Sequence, residues 1–160
     1  MKIYYREKSG GIEILRCFGI EGRVEIPGMI DDKLVISAAP YAFSSHMDEK
    51  EDLKNASLWE VSDGLEFGRE EHVLAGNDVE EIVFPYTLKE IGRYIFYGCG
   101  NLKKLEFSDS LMQIGCGAFT GCHVLEKLTV HMRQGKKSGV KEMLGEMWQR
   151  IDVNLSLIHI

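Results

Sequence analysis

The sequence lacks a long hydrophobic run, a secretory signal and an excess of basic residues. No apolar stretch approaches the ~20 residues that a membrane-spanning helix needs, so we expect no membrane insertion. The N-terminal segment MKIYYREKSGG carries charges where a signal peptide has an apolar core, which predicts a cytoplasmic protein. The formal net charge of −6 argues against binding to nucleic acid, because nucleic-acid-binding proteins usually present a basic face.

Cysteine is scarce, and none of the cysteines forms a Cys-x-x-Cys pair. The four are Cys17, Cys99, Cys116 and Cys122. No cluster of histidine and cysteine has the spacing typical of zinc ligands, so we expect no metal. Cys99 and Cys122 occupy the same position of a sequence repeat, which favours buried, reduced thiols with a packing role. A disulfide is the alternative if the protein is secreted.

Catalytic patterns are missing as well. The histidines share no spacing with a nucleophile or a metal partner: His46, His72, His123, His131 and His159. The segment Gly98-Cys99-Gly100 lacks the strand–loop–helix context of a phosphate-binding loop. We therefore expect no catalytic residue, no cofactor and no enzymatic activity in this chain.

A 23-residue repeat dominates what the sequence does contain. Residues 78–100, DVEEIVFPYTLKEIGRYIFYGCG, are followed directly by the matching residues 101–123, NLKKLEFSDSLMQIGCGAFTGCH. A fixed period of this length is typical of a solenoid, in which one repeat cannot bury its apolar face alone. We expect an α/β-type solenoid that is mostly β, with parallel stacked strands, an N-terminal hairpin cap and one helix near the C-terminus.

The rest of the chain extends this pattern less regularly, and we expect residues 1–160 to form a single domain. Residues 1–22 read as the cap hairpin, and residues 23–46 as a divergent repeat with five extra residues around Gly28–Lys33. Residues 47–77 read as a degenerate coil with an insertion, and a flexible excursion is the alternative.

Residues 124–160 read as a strand, a helix and a second strand. The helix is predicted near 139–148 from an i, i+3, i+4, i+7 stripe of apolar residues that begins at Val140. Ile151 and Val153 lie 23 positions after Leu128 and Val130, so we expect the period to continue through the helix. The chain ends on LSLIHI, which resembles a translated sequencing adapter and has no polar cap. We therefore expect the chain to be a fragment of a longer protein.

The two complete repeats resemble the BspA-type leucine-rich repeat, whose coils read roughly L-x-x-I-x-[LF]-x-x-x-L-x-x-I-G-x-x-A-F-x-x-C. The resemblance is strong over residues 78–130 and looser over residues 23–46. It implies a leucine-rich repeat fold and binding to other macromolecules. The family occurs in many bacterial proteins, and many of its members are exported, although this chain shows no export signal.

The repeat also predicts which side chains lie inside. We expect Ile82 and Phe84, with their equivalents in the other repeats, to point into the core from parallel strands. Phe96 and Phe119 should fill the interior beneath the turns. Gly92 and Gly115 should lie where the chain approaches the next coil closely.

The same alternation predicts an outward face, which we call the strand face. Its first predicted column is Glu81, Lys104, Lys127 and Arg150, and its second is Val83, Glu106, Thr129 and Asp152. We expect a protein partner of unknown identity to bind here. The alternative is that these positions are charged only because they are exposed. In that case the chain is a structural spacer of a larger protein whose active region lies beyond residue 160.

Overall fold

The computed structural model describes residues 1–62, 69–135 and 138–158. These residues form thirteen strands. In chain order the strands are β1 Lys2–Lys8, β2 Gly11–Gly19, β3 Arg23–Glu25, β4 Met29–Ile30, β5 Lys33–Ala38, β6 Ser57–Glu60, β7 His72–Val73, β8 Glu81–Val83, β9 Glu90–Ile91, β10 Lys104–Ser108, β11 Gln113–Ile114, β12 Lys127–Arg133 and β13 Asp152–Ile158.

The described helices are short: α1 Glu49–Asp52, a 3-10 turn Gly76–Asp78, α2 Val140–Leu144 and α3 Met147–Arg150. The single helix predicted near 139–148 is therefore two helices. Gly145 separates them with a φ of +55° and a ψ of −127°, a conformation outside the helical region that glycine adopts readily. Within the described residues, the helices are all too short to cross a membrane.

One sheet consists of parallel strands in the order β13-β12-β10-β8-β3, and we call it the repeat sheet. Leu105 of β10 pairs with Ile82 of β8 and with Leu128 of β12, each 23 positions away. All three side chains are at most 1% exposed. The predicted parallel stacking, with the apolar column turned inward, is confirmed for these strands.

A second sheet has the order β11-β9-β5-β2-β1-β6. The short strands β5, β9 and β11 are parallel to one another, so the first three repeats contribute to both sheets. β1 and β2 form an antiparallel hairpin, and β2 runs parallel to β5. The hairpin therefore covers the edge that the first repeat would otherwise leave unpaired.

Residues 47–77 do not form a coil between the first and second repeats, contrary to expectation. Val24 of β3 pairs directly with Ile82 of β8, and Ala38 of β5 pairs directly with Ile91 of β9. β6 instead pairs with β1 and β7 with β2. The described part of this segment is an excursion that supplies strands to the hairpin, and residues 63–68 lie outside the description.

The extra residues of the first repeat form a small hairpin. β4 and β5 are antiparallel and joined through Asp31 and Asp32, whose φ values are +51° and +59°. Two consecutive left-handed residues are typical of a tight hairpin turn, and aspartate tolerates that conformation. The insertion expected around Gly28–Lys33 is therefore a turn. It leaves β3 paired with β8 and β5 paired with β2 and β9.

The last repeat is two residues longer than predicted. Leu128 of β12 pairs with Val153 of β13, 25 positions away, whereas the sequence period predicted 23. The helical segment that replaces the outer half of this repeat takes up the two additional residues. Side chains alternate between the two faces of a sheet with a period of two. A shift of two residues therefore gives each β12 residue a different neighbour on β13, but every side chain of β13 stays on the predicted face of the sheet.

Aromatic rings fill the space between the two sheets. Phe43, Phe84 and Phe96 are at most 1% exposed, and the Phe43 and Phe96 ring centroids are 6.1 Å apart. Burial of each ring stabilises the fold by about 1.5–3 kcal/mol. Phe119 packs at 5.6 Å from Phe96 but is only partly buried, because the helices replace the regular outer half of the following repeat.

Gly115 shows why glycine is needed after the second apolar pair. A Cβ at this position would overlap with the backbone of Arg93 in the preceding repeat. Gly92 meets the backbone of Ala39 and Pro40 in the same way. The predicted close approach of neighbouring coils at these glycines is confirmed.

Candidate functional site

The outer face of the repeat sheet carries two polar columns. The first contains Arg23, Glu81, Lys104, Lys127 and Asp152. The second contains Glu25, Val83, Glu106, Thr129 and Asn154. Neighbours within a column lie on adjacent strands, which are about 4.8 Å apart. We keep the name strand face for these ten residues.

The strand face contains seven of the eight predicted residues. Asp152 lies beside Lys127 in the first column, and Asn154 takes its expected place beside Thr129 in the second. Arg150 is not in the sheet at all. It ends α3, where its guanidinium donates a 3.1 Å hydrogen bond to Glu146. Both corrections follow from the two-residue extension of the last repeat.

Arg23 and Glu25 were missed by the sequence reasoning. A signal for them was present, because Ile26-Pro27 resembles Phe84-Pro85 and that match aligns Glu25 with Val83. The match was not used because residues 47–77 were expected to form a coil between the first repeat and residues 78–100. Once β3 is placed beside β8, these two residues complete the columns at one end of the sheet.

Thr129 differs from the expectation in exposure. The sequence predicted an exposed side chain, but Thr129 is only 8% exposed. It is a short side chain on a central strand, between the longer side chains of Glu106 and Asn154. Thr129 is therefore a low point between longer side chains rather than an exposed contact residue.

Two carboxylates of the strand face, Glu81 and Glu106, contact neighbouring arginine and histidine side chains. Arg23 lies 3.4 Å from a carboxylate oxygen of Glu81 and 3.3 Å from one of Glu25. His131 of β12 places its Nε2 atom 3.1 Å from Glu106. Two of the acidic side chains that flank the lysines are therefore already in contact with a partner.

The lysines of the first column are in a different situation. Lys104 and Lys127 are direct neighbours on adjacent strands, and both are exposed. Among the residues that the structure describes, neither has an ion-pair partner. Like charges directly opposite each other destabilise a sheet. The two lysines are therefore adjacent positive charges whose capacity to form ion pairs is unused within the described residues, and Glu81 and Asp152 flank them in register.

A shallow depression of about 270 Å³ lies over this region. Its lining is predominantly polar and consists of Glu81, Lys104, Leu105, Glu106, Lys127, Thr129, His131, Asn154 and Ser156. The size suits one or two side chains of a bound molecule. The chemistry favours a polar or charged group over an apolar anchor.

A second polar cluster, on the other sheet, has its hydrogen bonds satisfied internally. The buried carboxylate of Glu13 accepts hydrogen bonds from Arg6 at 2.6 Å and Ser37 at 3.1 Å. Lys8 donates to Glu13 at 3.4 Å and to Glu90 at 3.0 Å, and the bond to Glu90 raises the pKa of Lys8. This cluster ties the hairpin to the second repeat and leaves little capacity for a ligand.

The thiols show no sign of catalytic activation. Burial raises the pKa of Cys17, Cys99 and Cys122 to about 12, which disfavours the reactive thiolate. Cys99 is buried as predicted, whereas Cys122 is only partly buried and Cys116 is exposed.

The described histidines do not form a metal-binding cluster. In the described ranges, no three His, Cys, Asp or Glu side chains are grouped so that they could hold a metal ion. His159, which the sequence analysis considered, lies outside those ranges.

A comparison with protein families decides the nature of the repeat. Residues 70–141 match the sequence model described as BspA type Leucine rich repeat region (6 copies). This segment is therefore similar in sequence to BspA-type leucine-rich repeats. The matched segment is less than half of the chain. It begins before β7 and ends within α2, so it includes the three strands of the repeat sheet that follow the 23-residue period.

The chain was also compared with solved structures and curated proteins. A crystal structure of a T. pallidum leucine-rich repeat protein shows 21% sequence identity and a TM-score of 0.37, with 98% of this chain and 80% of that chain covered. At this TM-score, the arrangement of that protein does not carry over to this chain. No curated protein matches the chain. Leucine-rich repeats are commonly used for protein–protein interaction.

Proposed function

We propose that the chain is a single leucine-rich repeat solenoid domain that binds a protein partner through its strand face and has no enzymatic activity. The observation that carries this proposal is the strand face itself. Five parallel strands hold two polar columns in register on one surface. Lys104 and Lys127, which form no ion pair among the described residues, lie at its centre. Solenoids commonly use such extended surfaces for recognition.

The composition of the strand face determines what kind of binding it supports. Charges at an interface mainly set the association rate and the specificity, while apolar and aromatic anchors supply most of the affinity. Val83 is the single apolar member of the two columns, and it is half-buried. We therefore expect the partner to provide the anchors and the isolated chain to bind weakly.

The second candidate function is a structural spacer within a larger protein. The contacts of Arg23 with Glu81 and of His131 with Glu106 favour it, because these carboxylates already have hydrogen-bonding or ionic partners within the chain. In this alternative, Lys104 and Lys127 are merely solvated, and the polar strand face contacts water rather than a partner.

Selection of binders from a random-peptide library against the immobilised protein distinguishes the two functions. We expect the enriched peptides to bind the wild type and to lose binding to Val83→Arg, which places a bulky charge in the second column. Met112→Arg is the matched control, because Met112 is 74% exposed and lies outside the strand face. Circular dichroism establishes that both variants fold. Peptides that bind all three proteins equally would favour the spacer.

A further inference from the structure

We propose that the partner segment is acidic and that one of its carboxylate groups binds between Lys104 and Lys127. The proposal rests on the protein-binding function above and adds the chemistry of the partner. The two lysines are in register on β10 and β12, so their ammonium groups can converge on one anion. A carboxylate has two acceptor oxygens, and each accepts a charge-assisted hydrogen bond of about 2.7–2.9 Å.

The competing carboxylates of the chain itself are poorly available. Glu81 contacts Arg23 at 3.4 Å, and Glu106 contacts His131 at 3.1 Å. A carboxylate from outside therefore meets two ammonium groups that have no ion-pair partner among the described residues. Forming that contact removes the repulsion between the lysines as well as adding attraction.

Asp152 competes with the partner's carboxylate for Lys127. It is exposed and pairs in register with Lys127 on the side away from Lys104. Its charge partly offsets that of Lys127 and repels an incoming carboxylate. Replacement of Asp152 with asparagine keeps the shape and removes the charge, so Asp152→Asn should strengthen the binding of an acidic segment.

The depression defines how much of the partner can enter. About 270 Å³ accommodates an aspartate or glutamate side chain. The two carboxylates in the lining, Glu81 and Glu106, are the ones in contact with Arg23 and His131. The net charge of −6 repels a uniformly acidic molecule at longer range. A short acidic motif within an otherwise neutral segment therefore fits this site better than a polyanion.

The test uses three synthetic peptides that differ only at two central positions, which hold glutamate, glutamine or lysine within a Gly-Ser sequence. Each is titrated into the ¹⁵N-labelled full chain and followed by NMR. We expect the glutamate peptide to shift the amides of Lys104, Lys127 and Thr129, with weak affinity. The glutamine peptide should bind at least about tenfold more weakly, which corresponds to 1.4 kcal/mol.

Charge reversal supplies the matched variants. The double variant K104E/K127E should lose binding of the glutamate peptide by at least about tenfold. K54E/K89E changes the net charge of the chain by the same amount at exposed lysines outside the strand face, and it should change binding by less than about twofold. Asp152→Asn should bind the glutamate peptide about two- to threefold more tightly, in line with one added net charge near the surface.

The outcomes separate this proposal from the proposed function. Equal binding of the glutamate and glutamine peptides overturns the acidic chemistry. The protein-binding function stands in that case if library-selected peptides still depend on Val83. Equal binding by an oligothymidylate with the same dependence on Lys104 and Lys127 also overturns the proposal, because the site then accepts anions in general. If selected peptides are indifferent to both Val83 and the lysines, the proposed function itself fails.

Discussion

The guanidinium group of Arg16 donates a 2.6 Å hydrogen bond to the backbone carbonyl oxygen of Ser44. The same nitrogen lies 3.2 Å from the carbonyl oxygens of Tyr41 and Ala42. Arg16 is 2% exposed, and this desolvation lowers its pKa, while the nearby carboxylate of Glu49 opposes the shift. One buried cation thus holds the turn after β5 against the hairpin.

Arg16→Met should destabilise the protein by about 2–4 kcal/mol, because it removes the donor that these buried carbonyl groups share. Glu49→Gln should cost less than about 1 kcal/mol, since the Glu49 side chain is 44% exposed and its ion pair is partly screened by solvent. Urea denaturation followed by circular dichroism measures both. Equal stability of Arg16→Met and the wild type would contradict the role assigned to Arg16.

Phe96→Ala should cost about 3–5 kcal/mol as a cavity in a closed core. The sequence analysis placed Phe119 in the interior as well, and a fully buried ring there would give the same cost for Phe119→Ala. The structure lowers that expectation to about 1–2 kcal/mol, because Phe119 is only partly buried and loses less contact area. The two variants are compared by urea denaturation. A loss of stability in Phe119→Ala as large as that in Phe96→Ala would show that Phe119 is more deeply buried than the structure indicates.

Gly115→Ala should destabilise the protein by at least about 2 kcal/mol, since the added Cβ meets the backbone of Arg93, which cannot move without separating two repeats. Gly139→Ala is the control. Its added Cβ has no neighbour within 4 Å, and its φ is −91°. The midpoint of thermal unfolding should fall clearly in the first variant and change little in the second. Similar midpoints would argue against the close approach of the coils.

Alkylation of the native protein with iodoacetamide at pH 8 should modify the exposed Cys116 first. Burial raises the pKa of Cys17, Cys99 and Cys122 to about 12 from an ordinary 9.0, so their thiolates are rare at this pH. Peptide mass spectrometry before and after addition of urea gives the order. Modification of Cys99 at the same rate in native and unfolded protein would place it at the surface.

The same raised pKa values make stability depend on pH. A thiol whose pKa is raised in the folded state favours the protonated, folded form. The contribution of Cys17 and Cys99 to stability is therefore fully present below about pH 9 and is lost as the pH rises toward 12. Urea denaturation at pH 8 and pH 10.5 checks the direction, with Cys17→Ala as the comparison. Stability that rises over this range would contradict the burial of these thiols.

Replacement of Leu155 and Leu157 with lysine should reduce self-association. β13 is an edge strand of the repeat sheet, and these side chains are 53% and 69% exposed, a combination that promotes edge-to-edge pairing. Dynamic light scattering over a concentration series measures the effect. Met112→Lys is the control, because Met112 is exposed but does not lie on a long edge strand. An equal reduction in the control would assign the effect to hydrophobicity alone.

The parallel stacking of Ile82, Leu105 and Leu128 could be predicted because apolar residues recur at these positions every 23 residues. The neighbour of β3 and the register of β13 against β12 could not. The register of β13 depends on how many residues the two helices take up, and the apolar stripe from Val140 does not reveal the break at Gly145. Counting residues between strands is reliable only where the intervening structure repeats.

The sequence by itself determined the period, the inward column and, in their predicted columns, six residues of the strand face. These follow from the alternation of side chains along a strand, which is a local property. Tertiary structure alone decided that Val24 lies beside Ile82 and that Arg23 reaches Glu81. It also decided that Lys104 and Lys127 are left without a partner among the described residues. The physical reason is that ion pairs and strand neighbours form between residues that are distant in the chain. Several segments with similar local patterns could pair with a given strand, and only the packed structure selects one of them.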